Sequence, residues 1–147
     1  MCIELNLALD ICVGILSGII SSIVAWFILN IVLTPSLEIE DTVQYKDNRR
    51  FVRVRNRSCF DIYEVICRAE YWYGDNKASY KRTNTPISYL EKKHGLVAVS
   101  LSGDAYANDF FKTMNEKSYI IITVTYQNKF GVKKTAKQRI NLAENYM

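Results

Sequence analysis

Five arginines crowd a short stretch of this chain: Arg49, Arg50, Arg53, Arg55 and Arg57. A guanidinium is a planar fork of N–H donors that stays charged at any physiological pH, and its geometry matches the oxygens of phosphate or carboxylate. Several of them close together point to phosphate recognition. The phosphate could belong to a nucleotide second messenger or to a lipid headgroup, where each basic residue near an anionic surface contributes about 1 kcal/mol. The plainer alternative is a solvated sheet face. Strict alternation in Phe51-Val52-Arg53-Val54-Arg55 turns Arg53, Arg55 and Arg57 to one side and Val52 and Val54 to the other. A second basic group, Lys133, Lys134, Lys137 and Arg139, lies near the C-terminus. Duplex nucleic acid is not expected as a partner.

Other chemistry is sparse. The chain contains no G-x-G-x-x-G, P-loop, HExxH, EF-hand loop or nucleophile elbow. Its one histidine, His94, stands in Glu-Lys-Lys-His-Gly and reads as an exposed turn. Glu38, Glu40 and Asp41 read as a solvated strand edge. No catalytic residue, metal or cofactor is expected, and the chain is not expected to be an enzyme. Of the four cysteines, Cys2 and Cys12 lie in or beside an apolar run, and Cys59 and Cys67 have neither a metal-binding spacing nor a nearby histidine. Free thiols in a reducing compartment are the expectation. Tyr71 and Tyr73, flanking Trp72, have the spacing of core or cross-strand partners.

A different constellation lies near the N-terminus. Gly14 and Gly18 form a GxxxG, Ser22 extends the same stripe, and Ser17, Ser21 and Ala25 run alongside. Small residues let helix backbones approach closely in lipid, so this face predicts self-association into a homo-oligomer.

The elements that must carry these residues are unlike one another. Residues 11–33 contain no Asp, Glu, Lys, Arg or His. About 20 apolar residues suffice to cross a bilayer core of about 30 Å, so this run predicts a transmembrane helix. A buried core helix rarely runs so long without a polar face, and a signal peptide would carry a basic leader that MCIELNLALD lacks. All 19 basic residues lie beyond the run, the first being Lys46. The positive-inside rule then places residues 1–10 outside the cell and residues 37–147 in the cytoplasm, with the span in the inner (plasma) membrane.

Thr34-Pro35-Ser36 breaks the helix and forms a linker. Beyond it, residues 37–46, 51–56, 62–73, 96–101, 119–126 and 132–140 read as strands. Residues 74–94 read as a turn, Gly74-Asp75-Asn76, followed by a polar loop. Residues 104–116 have helical spacing, with Ala107, Phe110, Phe111 and Met114 on one side. Six or seven strands at hairpin spacing predict an antiparallel β-sandwich of immunoglobulin-like type, with a small β-barrel as the alternative.

The segments RFVRVRNRSCFDIYEVICRAEYWY (50–73) and YIIITVTYQNKFGVKKTAKQRI (119–140) carry a resemblance. Together they resemble small bacterial proteins with one N-terminal span and a cytoplasmic immunoglobulin-like β-domain. That domain is in turn similar to the cytoplasmic domain of inward-rectifier potassium channels. Neither a TVGYG-type filter nor a second span is present, so channel activity of that kind is not implied. By analogy with span-plus-β-domain proteins of bacterial (antiviral) defence, the expected function is a non-enzymatic membrane effector. Its domain would sense a ligand or partner, and its helices would assemble to perturb the bilayer. The alternative is a membrane anchor or scaffold that recruits a cytoplasmic protein.

Overall fold

The structure, a computed structural model, describes residues 2–32, 35–74 and 78–143. The chain divides into two units, residues 1–34 and 35–147.

The first unit is one helix, α1 (Cys2–Val32). It starts well before residue 11, because Leu, Ala and Glu in the first ten positions are good helix formers and no Pro or Gly interrupts them. Within it, Leu9–Leu29 is long and apolar enough to cross a membrane, and none of it is buried against protein. At 1.5 Å per residue that stretch measures about 31 Å. By length and composition alone, a helix near an N-terminus with this character serves equally as a span or as a signal sequence. The described helix runs to Val32. Leu33, Thr34, Asp75 and Asn76 lie outside the described residues.

The second unit holds nine described strands: β1 (Leu37–Ile39), β2 (Gln44–Lys46), β3 (Arg49–Asn56), β4 (Ile62–Trp72), β5 (Ala78–Thr83), β6 (Ile87–Leu90), β7 (Leu96–Ser100), β8 (Tyr119–Asn128) and β9 (Lys133–Asn141). A helix, α2 (Ala105–Thr113), follows β7. The strands make two antiparallel sheets. In the first, β3 is flanked on one side by β1 and β2 and on the other by β7. The second runs β5-β4-β8-β9, with β6 also on β4. Neither sheet closes on itself, so the barrel alternative is not what forms. The single strand expected over residues 37–46 is two short ones on opposite ends of β3, separated by a bend at Asp41 and Thr42. The polar stretch before His94, expected as loop, supplies β5 and β6, whose partner β4 decides their conformation more than their own composition does.

The two inner faces share one core. Val52, Val54 and Val99 come from the first sheet; Val65, Cys67, Ala69, Tyr71, Ile120, Ile122, Val124 and Ile140 come from the second. Ala107, Phe110 and Phe111 of α2 close it at one end. Tyr71 is fully buried, and its hydroxyl donates to the Leu101 carbonyl at 2.9 Å. Burial pushes its phenol well above the usual tyrosine range. Asn56, also fully buried, donates through Nδ2 to the carbonyls of Phe60, Leu90 and Glu91, and accepts from the Ser58 backbone N–H and hydroxyl through Oδ1. Every hydrogen-bonding atom of that amide is engaged, which offsets its burial.

The strands give this unit two distinct ends. At one, the Pro35 carbonyl accepts a hydrogen bond from Tyr126 (2.8 Å) and the Ser36 carbonyl accepts one from the Arg57 N–H (3.1 Å). The β8–β9 hairpin and residues 91–95 belong to the same end, since Gly95 accepts from the Asn56 N–H. Arg49, Arg50 and α2 belong to the other. At about 3.3 Å per residue, β3 separates them by about 23 Å.

Gly95 fixes the turn at the Pro35 end. A Cβ there would meet the Glu91 carbonyl oxygen at 2.3 Å and the Glu91 nitrogen at 2.7 Å. Both are backbone atoms and cannot swing aside as a side-chain tip would. We expect Gly95→Ala to destabilise the domain by at least about 2 kcal/mol, read as a lower midpoint of chemical denaturation. An unchanged midpoint would mean that the turn relaxes freely.

Candidate functional site

The β2–β3 hairpin turns through Asp47 (φ 51°) and Asn48 (φ 62°). Two consecutive positive φ values make a two-residue turn whose twist suits a hairpin, and Asp and Asn tolerate them better than most residues. The turn delivers Arg49 and Arg50 to the far end of the first sheet.

Opposite stands α2. Asp104 caps it, accepting the Ala107 N–H at 2.7 Å, and an ion pair with Arg82 (3.1 Å) holds the cap in place. Arg82 also donates to the Ser102 carbonyl at 3.0 Å, and Tyr80 donates to the Asp104 carboxylate at 3.3 Å. The helix is seated by Phe110, whose ring packs edge-on against Tyr71 (5.1 Å), Tyr73 (4.8 Å) and Phe111 (5.5 Å). Asn108, Phe111 and Lys112, spaced i, i+3 and i+4, then face the hairpin.

Between hairpin and helix lies an open cleft of about 560 Å³, lined by Asp47, Asn48, Arg49, Arg50, Ser102, Gly103, Asn108, Phe111 and Lys112. Three cations line it against one carboxylate. Arg50 is held from several directions: its backbone N–H donates to Ser102 Oγ at 2.9 Å, and its guanidinium lies 4.5 Å from the Phe111 ring centre and 5.5 Å from that of Tyr45. Arg49 is exposed, as is Lys112, and neither takes part in the ion pairs found among the described residues. Asn48 and Asn108 add amides that can donate or accept. Such a lining is suited to holding an anion with several oxygens.

The five arginines are therefore not brought together in one place. Only Arg49 and Arg50 line the cleft. Arg53 points to the outer face of β3, with its guanidinium 5.9 Å from the Phe51 ring centre. Arg55 lies 3.8 Å from Glu40, and Arg57 is bonded to Glu38. That hydrogen bond holds the Glu38 carboxyl below its ordinary range. Lys112, Asn48 and Asn108 were not singled out by the sequence. The helical spacing of 104–116 placed Lys112 on a helix, but nothing local says which distant turn that helix faces.

The stripe on α1 is open along its length. An added Cβ at Gly14 or Gly18 meets nothing within 4 Å, and Ser21 and Ala25 are likewise exposed. Ser17 Oγ donates to the Gly14 carbonyl and Ser22 Oγ to the Gly18 carbonyl, so both hydroxyls find partners within their own helix. His94 is exposed in the turn before Gly95.

Cys59 is exposed and Cys67 is buried, and neither forms a disulfide. Burial pushes the Cys67 thiol up to about 11, away from the reactive thiolate. In the native protein, an aromatic disulfide reagent at neutral pH should label Cys59 promptly and Cys67 only on unfolding. Equal labelling rates, resolved by peptide mass, would contradict the burial.

No family model matches the chain, and no curated protein matches it. Two solved structures to which it is similar are OgpA from Akkermansia muciniphila and the sporulation control protein Spo0M from Bacillus subtilis. The first is 11% identical with a TM-score of 0.40, over 78% of this chain and 30% of that one. The second is 11% identical with a TM-score of 0.30, over 74% of this chain and 48% of that one. The chain thus spans less than half the length of either, and at these scores neither likeness bears on its function.

Proposed function

We propose that this is a single-pass membrane protein whose β-domain binds a small phosphate-bearing anion in the cleft between the β2–β3 hairpin and α2. The observation that carries the reading is the convergence of Arg49, Arg50 and Lys112, from elements some 60 residues apart in sequence, on one concavity with a single opposing carboxylate, Asp47. A soluble ligand suits the site better than a lipid headgroup does. The cleft is at the end of the domain remote from Pro35, where the chain leaves for the helix. The volume matches ordinary small-ligand pockets, about 300–1,000 Å³, and admits a mononucleotide.

On this reading α1 crosses the inner membrane with its N-terminus outside, in accord with the absence of Lys and Arg before Lys46. The domain is an immunoglobulin-like sandwich in the cytoplasm, an assignment supported by two antiparallel sheets around a shared core. Ligand binding then biases the assembly of the helices, which perturbs the bilayer. This is the effector arrangement of bacterial defence proteins, carried over at the level of architecture.

Isothermal titration of inorganic pyrophosphate into the full chain in neutral-lipid nanodiscs tests the binding. Saturable heats that weaken with added salt support it, and absence of heat contradicts it. Overproduction in cells tests the effector step, which fails if membrane potential stays intact with and without ligand. For the helix, Gly14→Leu with Gly18→Leu should abolish cross-linked oligomers. Because both positions are open in the single chain, folding should be unaffected, and unchanged oligomers would remove this stripe from the account.

The anchor reading is favoured by one feature, the outer edge of β7. Odd residues of this strand bond to β3, as the Leu101 N–H to the Arg50 carbonyl and the Asn56 N–H to the Gly95 carbonyl indicate. The N–H and C=O groups of Leu96, Ala98 and Ser100 accordingly face outward, a template for an added strand from a partner.

A further inference from the structure

We propose that the tip of the β8–β9 hairpin is a membrane-interface contact, with Phe130 and Val132 entering the headgroup region of the bilayer and Lys129 reaching its phosphates. This inference rests on the reading of α1 as a transmembrane span. Phe130 and Val132 are 60% and 39% exposed at a tight turn, where an aromatic ring gains nothing from water. Their exposure is enforced by the turn. Buried Asn128 accepts both the Phe130 N–H (3.0 Å) and the Val132 N–H (2.9 Å) on Oδ1, and the Gly131 N–H donates to the Asn128 carbonyl at 3.0 Å. Gly131 adopts φ 80°, which suits glycine and closes the turn. The Lys129 ammonium lies 5.0 Å from the Phe130 ring centre and 5.9 Å from that of Phe60. An apolar stem beside aromatic rings with a cation above them is the arrangement expected of a lysine at a lipid–water boundary. Lys133 and Lys134 follow directly and match the anionic phosphates in charge.

The occupant follows from the chemistry of the tip: Lys129, Lys133 and Lys134 complement anionic lipid phosphates in charge, and exposed Phe130 and Val132 give it an apolar point suited to the headgroup region. The hairpin lies at the end of the domain where Tyr126 grips the Pro35 carbonyl at 2.8 Å. Among the turns described at that end, this one holds out both an aromatic and a β-branched side chain. A protein partner at the tip is the competing occupant, and it is an outcome of the test.

The test uses the full chain in nanodiscs containing anionic lipid, with acyl chains brominated near the headgroup. One reporter is Phe130→Trp in a Trp26→Phe, Trp72→Phe background. A second is Tyr106→Trp in that background, at the far end of the domain, and a third is native Trp26 alone with Trp72→Phe. The proposal expects quenching of at least about twofold, with a blue shift, at position 130, and none at position 106. Trp26 quenched with position 130 unquenched would overturn this inference and leave the span intact, pointing instead to solvent or a protein at the tip. Trp26 itself unquenched would overturn both.

Discussion

Arg49→Glu combined with Lys112→Glu is expected to weaken pyrophosphate binding by at least about 100-fold while leaving the fold intact. Charge-assisted hydrogen bonds contribute about 1.5–3 kcal/mol each, and reversal adds repulsion to their loss. Both side chains are exposed and neither joins the ion pairs found among the described residues, so their replacement leaves those pairs in place. Arg50 is less suited to this test, because its guanidinium packs on Phe111 and Tyr45 and its removal would loosen α2. The outer-face variant Arg53→Glu supplies the comparison: it changes charge equally per residue but lies outside the cleft lining. If it weakens binding as much per charge as the cleft variants do, the domain attracts anions by its general field, and the cleft has no special part. Titration calorimetry at two salt concentrations distinguishes the two, since a general field fades faster with salt than close contacts do.

Phe110→Ala is expected to lower domain stability by about 3–5 kcal/mol. The residue is 2% exposed and its ring meets Tyr71, Tyr73 and Phe111, so truncation leaves a cavity where three rings converge. Small domains are stable by only about 5–15 kcal/mol, so such a loss is a large share of the whole. It should also disturb the site before it unfolds the protein. Phe110 seats α2, and α2 brings Asn108, Phe111 and Lys112 to the cleft. Denaturant unfolding of the full chain in detergent, followed by near-ultraviolet circular dichroism of the aromatic cluster, measures both effects. A shift of the midpoint equivalent to less than about 1 kcal/mol would mean that the neighbouring rings collapse into the space.

Most of the scaffold is legible in the sequence because its periodicities are long and clean. The alternation of β3 turns Val52 and Val54 inward, and that of β4 puts Val65, Cys67, Ala69, Tyr71 and Tyr73 on one face; all are buried but Tyr73, which is half-buried against the core. Helical spacing puts Ala107, Phe110, Phe111 and Met114 on one side; the first three are the buried residues of α2, and Met114, its C-cap, is partly buried against the core. β5 and β6 were not legible: ASYKRT and ISYL carry no alternation strong enough to mark them, and they become strands because β4 offers its free edge. The bend between β1 and β2 was hidden for the opposite reason, since residues 37–46 look continuous and break only where they cross from one end of β3 to the other. The site was half legible. Arginine type and spacing singled out Arg49 and Arg50, but the same reasoning could not separate them from Arg55 and Arg57. What separates them is the partners Glu40 and Glu38, brought up by a strand paired across the sheet. Lys112 was out of reach altogether, because its role depends on a contact between a helix and a hairpin far apart in sequence.

The central claim is that Arg49 and Arg50, and not the arginine stretch as a whole, form an anion site. Arginine side-chain Nε–H resonances of the full chain in neutral-lipid nanodiscs, followed through a titration with inorganic pyrophosphate, read each guanidinium separately. Saturable shifts confined to Arg49 and Arg50, with Arg53, Arg55 and Arg57 unmoved, are the predicted result. Shifts spread evenly over all five, or none at any of them, would contradict it.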